Sequence, residues 1–133
     1  MSTKRILLVE DYPANVLVAT TLLEDFGYSY EVATTGAEAL AKLKSGAAFH
    51  AALMDVQLGD ALTGFDVTRD FRHWEQQRAG NGEHPSPRLP VIAMTAHALE
   101  GDRQRCLEAG MDDYISKPFD PDELREKLTR LAA

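Results

Sequence analysis

Apolar residues in this chain recur with two periods, and the alternation between them predicts its elements. Ile6 to Val9 is a short continuous apolar run, as expected of a strand buried on both faces. Pro13 suits a first helical position, and Val16, Ala19, Leu23 and Phe26 then recur at helical spacing until Gly27 ends the helix. Tyr28 to Ala33 reads as a second strand. Thr35 and Glu38 have capping-box spacing and open a second helix, with Ala37, Leu40, Ala41 and Lys44 in register and Gly46 closing it. Ala51 to Met54 is a third buried strand, and Gly59 to Gly64 a loop.

The second half repeats the alternation. Phe65 to Gln77 predicts a third helix with Val67, Phe71 and Trp74 on one face. Ala79-Gly80-Asn81-Gly82-Glu83-His84-Pro85-Ser86-Pro87 is turn-rich and reads as a surface loop. Leu89 to Met94 is a fourth strand, roughly Leu99 to Ala109 a fourth helix closed by Gly110, and Tyr114 to Ser116 a short fifth strand. Asp120 as N-cap, Pro121 at the first helical position and Glu123 at the third begin a last helix that turns Leu124, Leu128 and Leu131 inward. Five strands alternating with five helices predict an α/β fold, a parallel sheet with helices on both faces, in one domain spanning residues 1–133. No internal repeat interrupts it.

Composition narrows the class. With 133 residues, 44% hydrophobic and 26% charged, the chain has enough apolar material for a core of its own. Its net charge of −7 argues against non-specific nucleic-acid binding, which needs a basic footprint. A single cysteine, Cys106, excludes an internal disulfide and suggests a reducing, cytoplasmic setting. No apolar run approaches the roughly 20 residues of a membrane span, and the first residues lack a signal peptide's cleavage region.

The polar residues that follow the apolar runs carry the chemistry. Glu10-Asp11, Asp55, Thr95 and Lys117-Pro118 each stand directly after a predicted strand, so a parallel sheet gathers them at one rim, where such folds bind ligands. Taken alone, each has a plain reading: the adjacent acids as solvated loop residues, Asp55 as a cap, Thr95 as an ordinary strand end, Lys117 as a surface lysine. Together they read differently. Like charges about 4 Å apart repel by about 4 kcal/mol at an effective dielectric near 20, so three clustered carboxylates call for a cation. Oxygen-only ligands open to water suit Mg²⁺, and no His or Cys pair has zinc spacing. Asp55 beside a metal and an ammonium has the surroundings of a nucleophile that forms an acyl phosphate, with Thr95 as a hydroxyl donor to the phosphoryl oxygens. Tyr114, three residues before Lys117, reads as packing or, in this company, as a rotameric switch coupled to Thr95. Cys106 and Trp74 read as core, and His97 as a loop residue near the mouth of the site.

Glu10-Asp11, Asp55, Met94-Thr95-Ala96 and Lys117-Pro118-Phe119, in this order and at these spacings, resemble the receiver domain of two-component response regulators over the whole chain. Ala33 to Leu40, Met54 to Gln57, Met94 to Ala98 and Ala109 to Pro118 look most like receivers attached to hybrid sensor histidine kinases. The resemblance implies a flavodoxin-like, doubly wound sheet of order 2-1-3-4-5. It implies Asp55 as phosphoacceptor, Asp11 as a direct Mg²⁺ ligand, Glu10 as a ligand largely through water, and the Gln57 carbonyl as a further one. Lys117 would pair with the phosphoryl group, Thr95 would bond to it, and Tyr114 would turn inward as Thr95 moves, while the side chains of Gln57 and His97 would tune hydrolysis. The expected partner is a histidine kinase or histidine phosphotransfer protein, with no nucleic acid or membrane. The chain would be a monomer able to dimerise on phosphorylation, and a phosphoacceptor rather than an enzyme, with limited self-catalysed phosphorylation and dephosphorylation.

One departure stands out. The family carries proline four residues after the phosphoacceptor and glycine eight after it, whereas here the fourth residue is Gly59 and the glycine is Gly64, nine residues on. The loop from Leu58 to Thr63 is thus expected to be one residue longer, with an altered mouth. Competing readings are a degenerate receiver that serves only for docking, a phosphatase working through an aspartyl-phosphate, and a flavin-binding protein. The phosphatase would want a second acid where Gln57 stands, and no phosphate loop for a flavin follows the first strand. The Met1 start favours a stand-alone regulator over the terminal receiver of a longer kinase.

Overall fold

A computed structural model describes residues 4–45, 49–57, 62–80, 88–95, 100–117 and 119–132. The elements alternate as β1 (Arg5–Val9), α1 (Pro13–Asp25), β2 (Ser29–Ala33), α2 (Gly36–Leu43), β3 (Ala51–Asp55), α3 (Gly64–Gly80), β4 (Val91–Thr95), α4 (Glu100–Glu108), β5 (Asp113–Ser116) and α5 (Pro121–Leu131). The strands form one parallel sheet of order β2-β1-β3-β4-β5, the flavodoxin-like order the resemblance implied.

The three inner strands are apolar along their length because both faces are covered. Leu7, Val9, Ala52, Met54, Val91 and Ala93 belong to one cluster with Ala39 and Leu43 of α2, Val67 and Phe71 of α3, and Cys106 of α4. The alternate residues Ile6, Leu8, Leu53, Ile92 and Met94 meet Ala19 and Leu23 of α1 and Leu124 and Leu128 of α5. Each large aliphatic side chain so buried contributes about 1.5–3 kcal/mol relative to exposure. This two-sided burial fixes the strand register and hence the neighbours of every residue at the strand ends.

Helix ends follow their local chemistry. The Thr35 hydroxyl accepts the Glu38 N–H at the start of α2, and the Asp120 carboxylate accepts the Asp122 N–H at the start of α5, where Pro121 lacks the donor it would leave unmade. Gly27 and Gly110 take φ of 86° and 98° just past α1 and α4.

Several boundaries differ from the sequence expectation. In α2 the buried face is Gly36, Ala39 and Leu43, with Leu40 at its edge, while Ala37 and Ala41 are exposed. The run of alanines carries no directional signal, so the face was read one residue out. α3 begins at Gly64 and runs to Gly80, taking in Ala79 and Gly80 from the expected loop. Its start is fixed by a reciprocal cap, with Asp66 N–H on the Thr63 hydroxyl at 3.2 Å and Thr63 N–H on the Asp66 carboxylate at 3.1 Å. β4 starts at Val91 rather than Leu89 and includes Thr95. Gly46, the loop residues 58–61, the stretch 81–87, Leu99 and Pro118 lie outside the described residues.

Candidate functional site

The register places the rim residues side by side. Val9 pairs with Met54, which puts Glu10 next to Asp55, and Asp55 pairs with Met94, which puts Thr95 beside Val56. Thr95 pairs with Ser116, and the Lys117 N–H donates to the Thr95 carbonyl at 2.8 Å. A cleft of about 190 Å³ opens here, lined by Glu10, Asp11, Asp55, Gln57, Thr95 and Lys117 together with Tyr12, Asn15 and Val56. Of the residues singled out from sequence, these six meet. Tyr114 lies one strand away on β5, half-buried, and His97 lies outside the described residues.

Glu10 is the most enclosed of the acids, 1% exposed. One carboxylate oxygen accepts the Lys117 ammonium at 2.6 Å; the other accepts the backbone N–H groups of Asp11 and Tyr12 at 3.1 and 3.2 Å. Lys117 also lies 3.2 Å from Asp55 Oδ1, an oxygen that accepts the Gln57 N–H at 3.1 Å. The ammonium therefore bridges the two buried acids. Asp11 is exposed, and one carboxylate oxygen from each of Glu10, Asp11 and Asp55 lies within 4.8 Å of the others.

Among the described residues, three acids against one ammonium leave the cluster short of positive charge. Burial and a hydrogen bond with Glu10 push the Asp55 carboxyl up to about 7, against the lowering pull of the Gln57 N–H and Lys117. Burial opposes ionisation of Glu10 as well, but its hydrogen bonds with Asp55 and Lys117 hold it below the ordinary carboxylate range. Within this pair Asp55 is the carboxyl that resists ionisation and Glu10 the one held ionised. A divalent cation fits this donor set, hard oxygens grouped on one side of an open cleft.

Gly64 is a site residue whose reason was not legible in the sequence. A Cβ there would lie 2.1 Å from the Asp55 carbonyl oxygen and 2.9 Å from the Val56 Cα, and the Gly64 N–H donates to the Val56 carbonyl at 3.2 Å. The first turn of α3 lies directly on the backbone of Asp55. A glycine set back from the strand end was the available signal. Tyr12 was likewise missed as a cleft residue; its signal is an aromatic placed directly after the acidic pair.

Comparison with known proteins agrees with this geometry. The family model for the response regulator receiver domain matches residues 6–129. The chain is 34% identical to Histidine kinase 3 of Arabidopsis thaliana and 38% identical to the sensor protein GacS of Pseudomonas syringae pv. syringae, over 96% and 95% of this chain and 13% of each relative. It thus spans about an eighth of those kinases. Among solved structures, it is similar to the receiver domain of the sensor histidine kinase PA1611 of Pseudomonas aeruginosa, which carries a magnesium ion coordinated in its active-site cleft (38% identity, TM-score 0.79, 98% of each chain). It also resembles the receiver domain of Ssk1 in complex with the histidine phosphotransfer protein Ypd1 of Saccharomyces cerevisiae (29% identity, TM-score 0.89, 98% of this chain and 89% of that one). With the order of the sheet and the acidic rim already established, the chain belongs to the family of response regulator receiver domains of two-component systems.

Proposed function

We propose that the chain is the phosphoacceptor of a two-component or phosphorelay system, with Asp55 taking the phosphoryl group from a phosphohistidine. The observation that carries this reading is the position of Asp55, which lies between a lysine ammonium at 3.2 Å and two further carboxylates at the floor of an open cleft. Asp55 in its ionised form attacks phosphorus, an O–P bond forms, and the P–N bond to the donor imidazole breaks. The ring nitrogen keeps the electron pair, so an imidazole protonated on its other nitrogen leaves neutral.

The surrounding residues prepare that exchange. Glu10 holds the Lys117 ammonium against Asp55, where it can neutralise charge arriving on the phosphoryl oxygens. The Gln57 N–H fixes the orientation of the Asp55 carboxylate. Thr95, at the adjoining strand end, supplies the hydroxyl that bonds the transferred group, and Tyr114 responds as Thr95 moves. Glu10, Asp11 and Asp55 would hold Mg²⁺, with the Gln57 carbonyl completing the set. Bound there, the ion favours the ionised carboxylates and offsets phosphoryl charge.

The donor is a protein that covers the mouth, a histidine kinase or a histidine phosphotransfer protein. Tyr12, Leu17 and Val18 of the Tyr12–α1 segment are 60%, 67% and 48% exposed, and no charged residue occurs between Pro13 and Leu23. That uncharged face beside the cleft suits an apolar partner helix. The acidic chain has no basic footprint for nucleic acid, and among the described residues no helix is long and apolar enough to cross a membrane. Buried Cys106, the single cysteine of the chain, agrees with a cytoplasmic protein. The chain acts as a switch rather than as an enzyme on a separate substrate, and its self-catalysed turnover is limited.

Acetyl phosphate with Mg²⁺ tests the reading. Intact-mass spectrometry should find one added phosphoryl group on the wild type and none on Asp55→Asn. A wild type that gains no mass from acetyl phosphate or from any histidine kinase of its source cell rules the reading out.

A further inference from the structure

Tyr114 stands on β5 opposite Ala93 of β4, half-buried against the cluster beneath α2, α3 and α4. Two cations approach its ring from different helices. The Arg103 guanidinium of α4 lies 6.0 Å from the ring centroid and the Lys127 ammonium of α5 lies 5.0 Å from it. Lys127 is tied to the backbone of Tyr114 itself. Its ammonium donates to the Tyr114 carbonyl and to Asp113 Oδ1 at 3.1 Å, and lies 3.3 Å from Glu123 Oε1. Three partners match its three donors. Asp113 is fixed in turn by the Tyr114 N–H at 2.8 Å and by Arg130 at 2.7 Å. The ring therefore cannot move without leaving an ammonium that stays behind.

Thr95 lies two residues beyond Ala93 on the same face of β4, so the path of the ring towards the rim passes over a methyl group, the smallest side chain on that strand. We propose that Arg103 and Lys127 form a cationic bracket that holds Tyr114 in this resting position and thereby opposes its inward turn when Thr95 bonds the phosphoryl group on Asp55. The bracket stands on the contacts alone; its effect on signalling rests on the phosphoacceptor reading. Each cation over an aromatic face shifts a two-state population by roughly 2- to 5-fold at a partly exposed site. Coupling is reciprocal, so a ring released from the bracket makes Asp55 easier to phosphorylate.

The test places 3-fluorotyrosine at position 114 and follows its ¹⁹F signal in the unphosphorylated chain. Arg103→Met with Lys127→Met keeps the aliphatic stems and removes both charges. Arg125→Met is the control, since it removes an α5 cation that lies 4.9 Å from the Phe26 ring instead. In the double variant the ring signal should move to a second environment, with its population raised roughly 4- to 25-fold, while the control matches the wild type. Labelling of Asp55 by acetyl phosphate should quicken at least twofold. A double-variant spectrum that coincides with the control overturns the bracket, and a ring that moves with no change in labelling overturns the coupling. If no variant or wild type takes up phosphoryl, the phosphoacceptor reading falls while the ring spectrum still decides the bracket.

Discussion

Charge gathers at both ends of the sheet, and the two gatherings differ in balance. At the end where β4 and β5 begin, Arg72 of α3 is 8% exposed and donates to the Gly110 carbonyl at 2.8 Å, to Glu75 at 3.0 Å and to Asp112 at 2.8 Å. Asp112 accepts the Val91 N–H as well, Glu75 accepts the Leu89 N–H, and Arg88 adds a second cation near Asp112 and Gly110. Among the described residues, two cations meet two acids there. At the other end Glu10, Asp11 and Asp55 lie together, and Lys117 is the one cation paired with Glu10 and Asp55 among the described residues. A balanced cluster ties α3 to the start of β4 and to the turn before β5; an unbalanced one keeps a carboxyl protonated near neutral pH and waits for a cation or an electrophile. Charge balance, more than burial, separates scaffold from site.

The largest effect is expected from breaking the balanced end. Arg72→Met leaves Glu75, Asp112 and the Gly110 carbonyl without their shared donor and should cost about 3–5 kcal/mol in urea unfolding. Acetyl phosphate labelling of the fraction that stays folded should be unchanged. If labelling falls in proportion to stability at low temperature, where the variant is fully folded, the two ends are not separable. Next comes Gly64→Ala, whose Cβ would meet the Asp55 carbonyl at 2.1 Å. It should lose about 2–3 kcal/mol and slow labelling as well, because what yields is the backbone that carries the nucleophile. A variant as stable and as quickly labelled as wild type would show that α3 can retreat from β3 freely.

The ends also differed in how far they could be read from sequence. Ile6 to Val9, Ala51 to Met54 and Val91 to Met94 announce themselves because burial on both faces demands unbroken apolar runs, and the residue after each run then falls at the rim. Glu10, Asp55 and Thr95 were placed together by that logic, and Lys117 by its position after the shorter, half-buried strand that ends at Ser116. The Arg72 network gave no such signal. Arg72 and Asp112 are forty residues apart, and nothing in a helical arginine tells whether it meets solvent or a carbonyl. The contact of Gly64 with Asp55 is backbone on backbone, so it leaves only the absence of a side chain as a trace. The alanines of α2 misled for the opposite reason: Ala37, Ala39 and Ala41 are alike in sequence and only Ala39 is buried. The cations over Tyr114 depend on where α4 and α5 lie across the sheet, which no local pattern encodes.

A smaller effect of opposite sign is expected at the rim. Asp55→Asn should stabilise the Mg²⁺-free chain at pH 8 by about 1–2 kcal/mol, since it removes one of three like charges while keeping the shape. The sign follows from the folded carboxyl lying near 7 against an ordinary value of 3.8. Asp55 contributes to stability while protonated; that contribution is complete below about pH 3.8 and is lost as pH rises through 7. Glu10 runs the other way, its contribution present above its ordinary value of 4.5 and lost as pH falls through the lower folded value. Between pH 5 and 8 the difference in stability between wild type and Asp55→Asn should therefore grow with pH. A flat difference would mean that Asp55 is already ionised at pH 5.

The finest distinction is between a site that waits for a cation and one that merely tolerates its charge. If the proton on Asp55 occupies a place meant for metal, binding Mg²⁺ must release it, and affinity then depends on pH with a defined slope. With the carboxyl at about 7, Mg²⁺ should bind about tenfold more weakly at pH 6 than at pH 8, and a titration in two buffers of different ionisation enthalpy should report close to one proton released near pH 6. Asp55→Asn should bind more weakly throughout and lose most of that slope. The same slope in the variant would assign the proton to another group, and no slope in wild type would mean that Lys117, already 3.2 Å from Asp55, supplies the balancing charge before any metal arrives. That last result would make the ammonium the resident cation of the rim and bring the two ends of the sheet closer in design than their counts of charge suggest.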